Sequence, residues 1–139
     1  MPVTFRILPD HALVLVSYEG VTTMKESFSC FEAYLAHPDH DPNQRHLIDL
    51  SRLDDMRMDY PTMFLFQARK AEVFMAAERP VMMVYLAPNG SGLCVARRLQ
   101  RSWDGLDGAI ARIAIDWPGA MDILGLQRDA LDDVLSREA

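Results

Sequence analysis

The segment "AHPDHDPNQRHLIDLSRLDDMRMDYP", residues 36 to 61, gathers the side chains best suited to metal chemistry: His37, Asp39, His40, Asp41 and His46. Such ligands hold zinc or iron only where the chain brings three or four of them to one point. His37 and His40 are three apart, yet Pro38 between them denies the helix that would set both on one face. His46 lies beyond a second proline, at the mouth of an apolar strand. No HExxH and no Cys/His pairing accompanies them. The plainer reading is a helix C-terminus, where His meets the dipole favourably, followed by an Asp/Pro turn. No metal and no cofactor is expected.

Covalent chemistry has no better footing. None of the serines sits in GxSxG, so no catalytic residue is assigned. Cys94 has Arg97 and Arg98 one turn on, which would lower its pKa if the thiol were exposed. Its place between Leu93 and Val95 favours a small buried residue instead. The loop "APNGSGLCVARR" carries a different signal. It follows a buried strand and opens a helix, so Asn89, Gly90, Ser91 and Gly92 put free amides where α/β ligands usually sit. Arg97, with Arg98 and Arg101, adds positive charge. Both phosphate-loop spacings, GxGxxG and GxxxxGK[ST], are missing, and a glycine turn that caps a helix is the commoner case. A small anionic ligand at Asn89–Gly92 and Arg97 is therefore the alternative, not the leading expectation.

The whole chain sets the frame for these groups. Its 139 residues suit one domain with a sizeable core, and half of them are hydrophobic. Net charge is −6, from 14 basic and 20 acidic residues. That balance disfavours a general nucleic-acid surface, which needs a positive footprint. No apolar run approaches the roughly 20 residues of a membrane span. The opening "MPVTFRILPD" enters a strand pattern at once, so no signal peptide is expected. Cys30 and Cys94 lack CxxC spacing and fit a reducing cytoplasm.

"VTFRIL" alternates as a half-buried strand, and Pro9-Asp10-His11 turns it into the more apolar "ALVLVSYEG". So short a turn makes the pair antiparallel. Met24, Phe28, Phe31 and Leu35 then recur at helical spacing, after a capping box formed by Thr23 and Glu26. "HLIDLS" reads as the third strand, followed by a polar loop. A long helix over residues 61–79 begins at Pro61, with Asp59 or Tyr60 at its cap. "VMMVYLA" reads as a strand covered on both faces. A helix with Val95, Leu99 and Trp103 inward follows, then a fifth strand, "AIARIAI", near an edge. Trp117-Pro118 opens a short helix that Gly125 ends. The expected fold is α/β: a mixed, mostly parallel five-stranded sheet with an antiparallel N-terminal hairpin and βα units. Residues 1–126 form the domain, and residues 127–139 a C-terminal amphipathic helical extension.

The long helix is apolar around much of its girth. Met63, Phe64, Ala71, Phe74 and Met75 make one core face. Phe66, Val73 and Ala77 fall on a second stripe, interrupted by Lys70. A second stripe needs a second cover. A homodimer contact through Phe66, Lys70, Val73 and Ala77 is expected. The competing cover is Leu131, Val134 and Leu135 of the terminal segment.

The segment "HLIDLSRLDDMRMDYP", after a hairpin and one helix, resembles the SpoIIAA-like or STAS domain family. The likeness is nearest to small bacterial proteins of the STAS/SEC14 type. It rests on Asp49, Leu50 and Ser51 at the strand end, on "RILPDHALVLVSYEG", and on "VYLAP" before the glycine loop. It covers most of residues 3 to 126. The resemblance implies a sheet of successive βα units. It also implies a cytoplasmic, non-enzymatic protein that works by binding a protein partner, a small ligand or a second copy. Anti-sigma-factor antagonists carry a phosphorylated D-S pair a few residues on. Here those positions hold Arg57 and Met58, with Asp59 next, so no hydroxyl is present. A chain this short also leaves little volume for a closed lipid cavity beneath its sheet. Ser51 is expected to bond the backbone where the third strand ends.

Overall fold

Alternation of Val3, Phe5 and Ile7 with Thr4 and Arg6 makes β1 (Val3–Leu8), and a 3-10 turn at Pro9–His11 returns the chain as β2 (Leu13–Thr23). The two pair antiparallel, with Val3 opposite Tyr18 and Leu8 opposite Leu13. The computed structural model describes residues 2–127, 130, 132 and 133. Next comes α1 (Met24–Leu35), started by the capping box of Thr23 and Glu26 in both directions. There follow β3 (Arg45–Arg57), α2 (Tyr60–Phe74), β4 (Val81–Leu86), α3 (Gly90–Ser102), β5 (Ala109–Ala114) and α4 (Trp117–Leu124). The sheet order is β1-β2-β3-β4-β5, and every pair after the first is parallel. The expected α/β fold is the one formed.

That order decides where the helices go. Parallel neighbours added one after another, by crossovers of one hand, carry every connecting helix to the same face. Residues of α1, α2 and α3 accordingly share one core with Val14, Ile48, Met83 and Tyr85. The other face holds Leu13, Leu15, Leu47, Val84 and Leu86, and α4 covers it with Ala120, Met121 and Leu124. Arg45 ties this second layer together by donating to the carbonyls of Leu124 and His11. Among the described residues no helix is long and apolar enough to cross a membrane.

Two elements differ from expectation. β3 does not end at Ser51 but continues to Arg57, paired with β2 as far as Thr23. Between Ser17–Glu19 and Asp49–Arg52, and again between Gly20–Val21 and Leu53–Asp55, β3 advances one residue more than β2. Each step is a bulge. Buried Leu53 and Met56 therefore stand three apart, and the stretch lacks the alternation that marks a strand. α2 stops at Phe74, well short of Pro80, with Met75 as its cap.

After α4 the chain passes the left-handed Gly125. Asp133 Oδ2 lies 3.2 Å from His11 Nε2, beside the 3-10 turn. Leu131, Val134 and Leu135, offered above as a cover for α2, lie outside the described residues.

Candidate functional site

Two polar regions stand at the sheet's helix-covered side. The first joins the strand motif to the glycine loop. The bulge at Asp49-Leu50-Ser51 would orphan an amide, and Asp49 Oδ1 accepts the Ser51 N–H at 2.9 Å. The Ser51 carbonyl in turn accepts from Asn89 Nδ2, also at 2.9 Å. Asn89 is the cap of α3 and accepts the Gly92 N–H at 3.0 Å. Gly92 itself is buried so close that a Cβ there would stand 2.8 Å from the Leu50 carbonyl oxygen. In place of the bond expected from the Ser51 hydroxyl, the Asp49 carboxylate accepts the Ser51 N–H, because the strand bulges at Ser51 instead of ending. Arg97 is seven residues into α3, about 10 Å of rise from Gly90, and is exposed. The structure unites Asp49, Leu50, Ser51, Asn89 and Gly92 in one junction. Gly90 and Ser91 are exposed at its rim.

The second region lies between the sheet and α1, α2 and α3. There a cavity of about 50 Å³ is lined by residues from every neighbouring element. Tyr18, Ile48 and Tyr85 form its floor; Ser27, Cys30 and Phe31 come from α1; Met63, Phe66, Gln67 and Lys70 from α2; Leu99, Ser102 and Trp103 from α3 or its end. Its hydroxyls are engaged. Tyr18 donates to Ser27, which donates to the Thr23 carbonyl. Gln67 donates to Ser102, which donates to the Leu99 carbonyl. Tyr85 bonds with Trp103, and Tyr34 donates to buried Gln44 at 2.6 Å.

Lys70 is the exception. Its Nζ stands 4.5 Å from the ring centre of Phe66 and 5.7 Å from that of Phe31. Among the described residues it makes no ion pair. Burial lowers its pKa from the usual lysine value to about 8, opposed by the nearby Cys30 sulfur. Burial raises the Cys30 thiol to about 11 and pushes the Tyr18 phenol to about 12. His46 falls to about 3, through burial first and then the charges of Lys70 and His40. At neutral pH the cavity thus holds one cation and otherwise neutral groups.

Met63, Gln67 and Ser102 also line an open groove between α2 and α3, of about 420 Å³. Its remaining wall is Met58, Tyr60, Phe64, Arg98 and Arg101. The chain carries 20 acidic residues, yet among the described residues none lines either the cavity or the groove.

The dimer set expected on α2 is redistributed. Phe66 is 6% exposed and packs against Phe28 and Phe31, so it is core, not an outward residue. Lys70, Val73 and Ala77 follow it on the inward or flanking side, half-buried. Phe64 and Met75, expected in the core, are 62% and 83% exposed, and Leu65 is 66% exposed. The stripe 63-66-70-74 is a single inward face, and Lys70 sits in its middle. Its interruption of an apolar stripe was the sequence signal for the cavity. The histidines scatter: His46 packs among Phe31, Tyr34 and Phe74, His40 lies edge-on to Tyr34, and His37 accepts the Asp39 N–H. No group of three or more metal-ligating side chains occurs among the described residues. Cys94, expected to be buried, is exposed because it falls on the outer side of α3. No family model, curated protein or solved structure matches the chain.

Proposed function

We propose that this domain is a small-molecule-binding module of the SpoIIAA-like kind, with its site in the cavity beneath α1, α2 and α3. The observation that carries the reading is the cavity itself. Close-packed interiors leave few voids larger than a water, and a polar one holds ordered water or a ligand. This one is lined by polar and aromatic groups together, the make-up of small-ligand sites. It adjoins an open groove through three shared residues. The reading is binding and not catalysis, since the Tyr18, Ser27 and Ser102 hydroxyls are already spent on protein partners. The junction at Asn89–Gly92, the other place for a ligand, supports binding less well, because Asn89 already caps the Gly92 amide.

A nuclear magnetic resonance screen of small acids, alcohols and amides tests the site. Saturable shifts are expected at the methyls of Met63, Ile48 and Leu99, and a Cys30→Leu variant, which narrows the cavity, should weaken them. Ligands that shift only surface groups would remove the reading.

Self-association is a second reading, favoured by the adjacent exposure of Phe64 and Leu65 on α2. Symmetric pairing would place this outward face, and not Phe66, at a homodimer contact. Light scattering that gives a dimer for the native chain and a monomer for Phe64→Glu would support it. A native monomer at high concentration would exclude it.

A further inference from the structure

We infer that the ligand is a small organic anion whose acidic group pairs with the Lys70 ammonium, and that the α2–α3 groove admits it. The inference rests on the cavity being the binding site and adds what the site selects.

Lys70 is half-buried on the inner face of α2 and lines the cavity. A partly desolvated ammonium gains from a carboxylate or from several hydrogen bonds. Lys70 has two phenyl faces and no counter-ion among the described residues. Ring faces attract a cation but do not neutralise it. A carboxylate entering the cavity would supply both the missing charge and acceptors for the ammonium's donors. Neutral ligands would lack that charge, and Tyr18, Ser27, Gln67 and Ser102 in the cavity already hydrogen-bond one another or the backbone.

Size narrows the class. A water needs roughly 10–15 Å³ in such a cavity, so 50 Å³ admits the head of an acid with about four heavy atoms. A longer body would reach the groove by parting the Gln67–Ser102 hydrogen bond that stands between the two. The groove's charge agrees with that route. Arg98 and Arg101 are exposed on it, with no carboxylate in its wall among the described residues, in a chain of net charge −6. Such local reversal of sign concentrates anions at a mouth and speeds their capture at low salt.

The test compares butyrate with butyramide and 1-butanol, which share its chain and lack its charge, by calorimetry and methyl shifts at pH 7. Butyrate is expected to bind and the neutral pair to bind at least about tenfold more weakly, the worth of one charge-assisted contact. Lys70→Met should abolish this preference while leaving the amide spectrum of the fold unchanged, and Lys70→Arg should keep part of it. Arg98→Gln with Arg101→Gln should slow butyrate capture at low salt and leave the saturated methyl shifts in place. Butanol shifting the cavity methyls as strongly as butyrate would overturn the anion inference and leave the cavity reading standing. None of the three reaching those methyls would overturn both. Preference for butyrate that survives Lys70→Met would move the anion away from Lys70, and an unchanged capture rate in the double arginine variant would reject the groove as the route.

Discussion

The junction at Asn89–Gly92 and the cavity at Lys70 are both polar, both built at the helix-covered side of one sheet, and they differ in how their polar groups are answered. At the junction every group invoked has a protein partner: Asp49 for the Ser51 amide, Asn89 for the Ser51 carbonyl and the Gly92 amide. In the cavity the hydroxyls are answered but the one cation is not. The difference is what the proposed site rests on. A closed set of hydrogen bonds rigidifies a fold, whereas a half-buried ammonium without a counter-ion can take one from a ligand. The glycine loop looks more like a site in the sequence, yet it is the cavity that leaves room for a ligand.

The comparison is tested most strongly at Phe66, which roofs the cavity on the same helix as exposed Phe64. Phe66→Ala should cost about 3–5 kcal/mol in urea unfolding, by loss of buried ring contacts. Phe64→Ala should stay within about 0.5 kcal/mol, as a surface change does. Equal costs would mean that α2 is rotated from the arrangement described.

The junction should break next. Gly92→Ala places a Cβ 2.8 Å from the Leu50 carbonyl oxygen, a backbone atom that cannot swing aside. A loss of about 1–3 kcal/mol is expected from this overpacking, with no change in cavity methyl shifts. Asn89→Ala removes the cap and the bond to Ser51, and should cost about 1 kcal/mol. Asn89→Asp keeps the cap alone and should recover part of that loss. Tolerance of Gly92→Ala with full stability would show that α3 does not press on the β3 bulge.

How far the sequence already held these two regions depends on whether their causes are local. The Thr23–Glu26 capping box, the unbroken apolar run of β4 and the inward Val95–Trp103 stripe are set within a few residues, and all were legible. The continuation of β3 was not, because two bulges removed its alternation. On α2 the inward places of Met63 and Phe74 were legible, but Phe64 and Met75 prove exposed and Phe66 buried, since these side chains are equally apolar and only tertiary packing chooses among them. Cys94 was misjudged for the same reason. The cavity draws on three helices and four strands, so no local spacing could announce it, although Lys70 within an apolar stripe was a visible anomaly.

The smallest effect, and the one that most sharpens the comparison, is on pH-dependent stability at Lys70. Its pKa is lowered to about 8 in the fold from 10.5 in the open chain. Between those values the unfolded chain binds more protons than the folded one, so this group makes stability rise with pH across that window. Below about pH 8 both states are protonated and the cost of burying the charge is fully present. The titratable groups facing Lys70 are Cys30 and Tyr34 on α1, Tyr18 on β2, His46 on β3 and Tyr85 on β4. All have pKa values outside pH 6–9: His46 is lowered to about 3, Cys30 raised to about 11, Tyr18 to about 12, and Tyr34 and Tyr85 are also raised. The Cys30 thiol opposes the rise above pH 9, but it does so in native and variant chains alike. Lys70→Met should therefore be the more stable protein at pH 7, by under about 1 kcal/mol, since the lost cation–π contacts offset part of the relieved burial. That advantage should shrink as pH climbs toward 10.5. A variant less stable at pH 7, with a gap constant to pH 10.5, would mean that the ammonium is already satisfied by solvent, and the contrast between the answered junction and the unanswered cavity would disappear.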